Sequence, residues 1–211
     1  MKNIKGDIII YTDTHWRFPF PSISSLDFGP NVFYLGDNIE LVNFDPKYTE
    51  ETLAWARAFF RKCIETNTNM GKGNHEGGLY KYLSEMIEIE IPMEIVFLWN
   101  DQLTVACHGL HTWKPKRVQK WFDKPLKPDT LFGSRFLKKL FSKTLAKGRR
   151  IWKKTKLSKK QVKRTNAYMM FMQPEPKTLI MGHIHPTKHI DETHDGKRMI
   201  CCMQGRTVLK G

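Results

Sequence analysis

Cysteine is scarce in this 211-residue chain: there are four, Cys63, Cys107, Cys201 and Cys202, and no two stand at C-x-x-C spacing. That argues against a disulfide framework and against a thiolate zinc site. Adjacent residues on a strand point to opposite faces, so Cys201 and Cys202 read, like the other two, as separately buried reduced thiols. Long apolar runs are missing too. No stretch approaches the roughly 20 residues that span a bilayer. Residues 1–7 lack the apolar core and small-residue cleavage site of a secretory signal. The expectation is a cytoplasmic protein without a transmembrane segment, at most peripheral to a membrane surface. No internal repeat or low-complexity linker is present either.

Acidic residues are nearly missing from one segment. Residues 112–166 hold 20 Lys and Arg against only Asp123 and Asp129, a net +18, which leaves −4 for the remainder of a chain whose total is +14. With 40% hydrophobic and 27% charged residues, the whole has the composition of a globular protein. Its length suits one substantial core. The expected organisation is a core of residues 1–111 and 167–211, interrupted by a basic helical insertion at 112–166.

What is present is a series of short apolar strands that end in metal-ligand side chains. Val32, Phe33, Tyr34 and Leu35 form a run too short and too β-rich for a helix, and Gly36 then turns the backbone to present Asp37. Ile8 to Tyr11 leads likewise into Asp13-Thr14-His15, and a weak strand after Thr68 leads into Gly73-Asn74-His75-Glu76. A hairpin spanning 89–107 turns at Asn100-Asp101 and ends at His108. Thr178 to Met181 runs into Gly182-His183-Ile184-His185, and Arg198 to Met203 reads as the last strand. Between these, Leu53, Ala56, Phe60 and Ile64 recur at helical spacing over 49–66, and a short helix is expected over 77–87.

Loops at the carboxyl ends of strands in an α/β sheet converge on one crevice. Asp13, His15, Asp37, Asn74, His108, His183 and His185 can therefore meet there. Mixed carboxylate, imidazole and amide ligands suit a borderline transition metal better than Ca²⁺. Seven such side chains exceed what one ion takes and match two if a carboxylate bridges. Two-metal sites clamp the attacking and leaving oxygens of an in-line displacement at phosphorus. His111, His189 and His194 read as ordinary core or surface histidines, and Glu40 and Glu76 as residues that orient neighbours or face solvent.

The ordered set D-x-H, G-D, G-N-H-E, H and G-H-x-H resembles that of the calcineurin-like metallophosphoesterases, and it covers almost all of the chain outside the basic segment. The resemblance implies an α/β fold of two mixed β-sheets packed face to face and flanked by helices. It implies two divalent transition-metal ions, Mn²⁺ first, with Fe²⁺, Zn²⁺ or Ni²⁺ as alternatives. Asp13, His15 and His185 would hold one ion, Asn74, His108 and His183 the other, and Asp37 would bridge. His75 would serve the leaving group as the catalytic acid. The activity implied is hydrolysis of a phosphodiester, pyrophosphate or phosphomonoester. The run Leu35 to Glu40 is also similar to the G-D-x-x-E of UDP-2,3-diacylglucosamine pyrophosphatases, which points to a nucleotide-linked lipid; that branch typically has Arg where this chain has His75.

Two helical stretches are expected in the basic segment, 131–145 and 158–172. In the first, Phe132, Phe136, Leu137, Leu140, Phe141 and Leu145 share a face, with Lys138, Lys139, Lys143 and Lys147 elsewhere. Such a stripe is ordinarily the inner face of a helical hairpin. The nearly single-signed charge is less ordinary, because solvated faces mix signs. It favours a polyanionic partner: an anionic lipid surface, nucleic acid or a phosphate-rich substrate. Lys138, Lys139, Phe136 and Phe141 are the candidate substrate-binding residues. Three functional readings follow: a phosphoesterase, a nuclease that binds nucleic acid through the insertion, and a non-catalytic scaffold of the same fold.

Overall fold

The computed structural model describes residues 1–40, 49–73, 75–76, 90–109, 156–183, 186 and 188–211. In chain order its elements are β1 (Asn3–Ile4), β2 (Ile8–Thr12), β3 (Val32–Tyr34), α1 (Thr49–Glu65), β4 (Asn69–Met70), β5 (Glu94–Trp99), β6 (Gln102–Cys107), α2 (Lys159–Phe171), β7 (Thr178–Met181), β8 (Ile190–His194), β9 (Lys197–Cys201) and β10 (Gly205–Leu209). A single 3₁₀ turn, Ile23–Ser25, lies between β2 and β3.

Two mixed sheets result, of four strands in the order β10-β2-β3-β4 and of six in the order β1-β5-β6-β7-β9-β8. In the smaller, β2, β3 and β4 run parallel and β10 joins antiparallel. In the larger, β6, β7 and β9 run parallel. The sheets face each other across one apolar layer. Ile8, Ile10, Phe33, Leu35 and Leu209 meet Phe97, Trp99, Ala106, Ile180 and Ile200 there. On the outer side of the smaller sheet, Tyr11, Val32 and Tyr34 pack against Ala56, Phe59, Phe60 and Cys63 of α1. On the outer side of the larger, Val105, Cys107, Leu179, Met181 and Cys201 pack against Leu157 and Met169 beside and within α2. The period-2 alternation of strands thus feeds two apolar layers from each sheet. Cys201 and Cys202 fall in different layers, as their adjacency requires, and all four cysteines are buried and free.

Sequence and structure differ in several particulars. The buried stripe of α1 is Thr52, Ala56, Phe59, Phe60 and Cys63, whereas Leu53 and Ile64 are only half-buried. Phe59 rotates the helix, because its ring stacks on Trp55 and meets Tyr34 edge-on with centroids 5.1 and 4.8 Å apart. The last strand is not the one ending near Met203. β10 follows it, and its pattern (Thr207 and Leu209 buried, Arg206 and Val208 exposed) carries too few apolar residues to stand out. β8 and β1 were equally inconspicuous. The helix expected at 158–172 is α2, started by a capping box in which Ser158 Oγ accepts from Gln161 N–H while Gln161 Oε1 accepts from Ser158 N–H. The stretches expected at 77–87 and 131–145 lie outside the described residues.

Candidate metal centre

Parallel strands exit at the same edge. β2, β3 and β4 therefore deliver Asp13, Asp37 and His75 to one side of the smaller sheet, while β6 and β7 deliver His108 and His183 from the larger. The exits of β2 and β3 continue side by side beyond the strands. Asp13 N–H donates to Gly36 O at 3.1 Å, His15 N–H to Asp37 O at 3.0 Å and Trp16 N–H to Asn38 O at 2.7 Å. This turning backbone uses the left-handed region at Asp13, His15, Asp37 and His183, with φ of +53°, +48°, +52° and +65°. Non-glycine residues rarely adopt it, and when they do they cluster at functional sites. Gly36, at φ +92°, has no room for a side chain either, since a Cβ would lie 2.3 Å from Gly73 N. At Gly182 a Cβ would lie 2.0 Å from Thr12 Oγ1 and 2.6 Å from Asp13 Oδ2. Only glycine lets these loops touch.

Two donor groups share Asp37. Asp13, Asp37, His108 and His183 offer ligand atoms that all lie within 4.8 Å of one another, and so do His15, Asp37 and His75. Asp37 Oδ2 stands 3.1 Å from His108 Nε2. His108 Nε2 stands 3.0 Å from His183 Nδ1. Asp13 joins through both oxygens: Oδ2 accepts from His183 N–H at 2.8 Å, and Oδ1 lies 3.9 Å from His108 Nδ1. Asn74 and His185 lie outside the described residues. The geometry thus groups Asp13 with His108 and His183, where the motif resemblance pairs it with His15. The hold of Asp13 on His183 N–H draws it to that side.

Asp13, Asp37 and His108 are buried to 0–2% exposure, a costly place for charge unless charges compensate. Burial opposes a proton on His108, but Asp37 and Asp13 beside it raise its pKa to about 9. Burial opposes charge on Asp37 as well, and His108 nonetheless holds its pKa below the usual carboxylate value. A site that gathers carboxylates and imidazoles this closely, and buries them this deeply, suits a divalent cation as the compensating charge. The donor set, oxygen and nitrogen without thiolate, suits a borderline transition metal.

Glu40 and Glu76 prove more central than the sequence suggested. Buried Glu40 places Oε1 2.9 Å from His75 Nδ1 and Oε2 3.3 Å from His15 Nδ1, and Arg17 approaches Oε2 to 3.5 Å. Burial lowers the His75 pKa, but the hydrogen bond to Glu40 and the charge of Asp37 outweigh it and leave the pKa raised. Glu76 accepts from three backbone amides. Its spacing in G-N-H-E was visible, but its target was not. His189 is exposed and His194 pairs with Glu192 at 2.9 Å, both away from the site.

Against known proteins, no family model matches this sequence, and no curated protein matches it. Among solved structures, the chain is similar to one described as a novel archaeal phosphodiesterase, with a TM-score of 0.38 and 14% identity, covering 94% of this chain and 84% of that one. The narrower likeness to the UDP-2,3-diacylglucosamine pyrophosphatases finds no support in these comparisons.

Proposed function

We propose that this protein is a metal-dependent phosphoesterase that works with two divalent ions, Mn²⁺ foremost, on a phosphodiester, pyrophosphate or phosphomonoester. The observation that carries this reading is the sharing of Asp37 between two groups of ligand atoms at the convergent strand ends. Asp13, Asp37, His108 and His183 would hold one ion, and Asp37 with His15 the other; the motif resemblance adds Asn74 to His108 and His183, and His185 to His15. Bound there, the ions supply Lewis acidity towards the phosphoryl oxygens and a lowered pKa for water.

The chain supplies the proton. With Glu40 accepting at Nδ1, the His75 ring turns Nε2 towards Asp37 Oδ2, 3.8 Å away, on the site's inner side. From there Nε2–H donates to the departing oxygen as general acid. Arg17, largely exposed, adds positive charge beside Glu40.

For the substrate we favour a phosphate attached to a lipid. The outward side of α2 carries Lys159, Lys160, Lys163 and Arg164 together with Met170 and Phe171, the last 87% exposed. Cations over the first turns of α2 with exposed apolar side chains at its end suit an anionic lipid surface. The test is hydrolysis of bis(p-nitrophenyl) phosphate and p-nitrophenyl phosphate by metal-stripped protein with and without Mn²⁺. Mn²⁺-dependent release of nitrophenol from either supports the reading. Its absence from both, from phosphodiester nucleotides and from pyrophosphate-linked nucleotides, at full metal loading, leaves the scaffold.

A further inference from the structure

The backbone after β3 makes a concavity of its own. Gly36 and Asp37 take positive φ in succession, +92° and +52°, and the N–H groups of Asp37, Asn38 and Ile39 turn to one side. Successive amides arranged in this way form an anion-binding nest. Here the anion is internal. Glu76, 2% exposed, accepts from Asp37 N–H at Oε2 over 2.8 Å, and from Asn38 N–H and Ile39 N–H at Oε1, the latter over 3.0 Å. In return, Asp37 Oδ1 accepts from His75 N–H at 2.7 Å. The loop after β3 and the loop after β4 therefore hold each other reciprocally, each through a carboxylate on the other's backbone.

This lock has a consequence for the ligand that both donor groups share. Oδ1 of Asp37 is committed to the His75 amide, so the carboxylate rotates to leave Oδ2 beside His108. We infer that Glu76 is a positioning residue: by filling the nest it fixes the Asp37 backbone, and so sets where the shared ligand oxygen falls. Its own two oxygens are occupied by amides, and Glu76 belongs to neither group of ligand atoms. The inference rests on the metal-site reading of Asp37.

Glu76→Gln tests it, because the side chain keeps its shape but now sets an amide N–H against a backbone N–H. Mn²⁺ titration of the full chain by calorimetry, with Tm and circular dichroism of the metal-free form as the fold control, is the measurement. A variant that is still folded in its metal-free form should bind Mn²⁺ about 10- to 100-fold more weakly than wild type, the usual cost of losing an outer partner of a metal ligand. Unchanged affinity and stoichiometry in a folded variant would overturn the role. If the variant does not fold, amide exchange in metal-free wild type decides. Asp37, Asn38 and Ile39 N–H should be strongly protected, and exchange at unstructured-chain rates would overturn the lock. Failure of the wild type itself to bind Mn²⁺ counts against the metal-site reading; the exchange measurement still reads the lock on its own.

Discussion

His75 Nδ1 lies 2.9 Å from Glu40 Oε1, and the same carboxylate places its other oxygen 3.3 Å from His15 Nδ1. One buried side chain thus hydrogen-bonds the proposed acid and lies beside a metal-ligand candidate. His75→Gln should retain both ions while kcat falls about 10²- to 10⁴-fold, the range for a lost general acid. The loss should shrink on substrates with very acidic leaving groups. Elemental analysis beside steady-state kinetics checks this, and loss of metal would make His75 a ligand instead.

Asp37 belongs to both donor groups, whereas His15 and His183 belong to one each. Asp37→Ala should therefore release more metal than His15→Ala or His183→Ala under the same dialysis. Equal retention across the three variants would contradict the shared role.

Substrate access should depend on the basic segment. α2 begins within it, yet Leu157, Thr165 and Met169 are buried, so the replaceable part ends before α2. A short Gly/Ser loop in place of residues 112–155 should leave Mn²⁺-dependent hydrolysis of a small chromogenic diester nearly unchanged. The same change should sharply weaken binding to vesicles of anionic phospholipid. If the partner is nucleic acid, binding by the intact chain should instead fall with salt, log K dropping by about 0.7–0.9 per phosphate contact against log[salt].

Asp27 links two strands of the smaller sheet. Its Oδ2 accepts from Arg206 Nε–H at 2.6 Å and from Tyr11 O–H at 2.7 Å. These bonds, Arg206 first, hold its pKa below the ordinary carboxylate value. A depressed carboxylate stabilises the fold above its unfolded pKa of about 3.9, and this is lost as pH falls through the lower folded value. Asp27→Asn should thus destabilise the fold near neutrality by less than about 1 kcal/mol, given the exposure of the Asp27–Arg206 pair, and flatten the decline of Tm in acid. Parallel acid limbs for the two proteins would contradict this.

Much of the site was legible because its chemistry is local. Strand, glycine and ligand stand within a few residues at Asp37, His108 and His183, Asp13 follows its strand directly, and parallel strands must exit together. The strands themselves were legible where both faces are buried, as in β2 and β7. β10 was not, since half of its residues face solvent, nor was the true buried stripe of α1, which the stacking of Phe59 decides. The roles of Glu40 and Glu76 were hidden for another reason. Each acts on atoms 25 to 39 residues away, on ring nitrogens or backbone amides that carry no mark in the sequence.

The central claim is that the convergent loops bind two catalytic divalent ions. Titration of metal-stripped protein with Mn²⁺, following bound metal and phosphodiester hydrolysis together, tests it most directly. The stripped protein should show no turnover, and activity should rise with bound Mn²⁺ and level off at two equivalents per chain. Tight binding of two equivalents without hydrolysis of any phosphate ester, or hydrolysis that persists undiminished in the stripped protein, would contradict it.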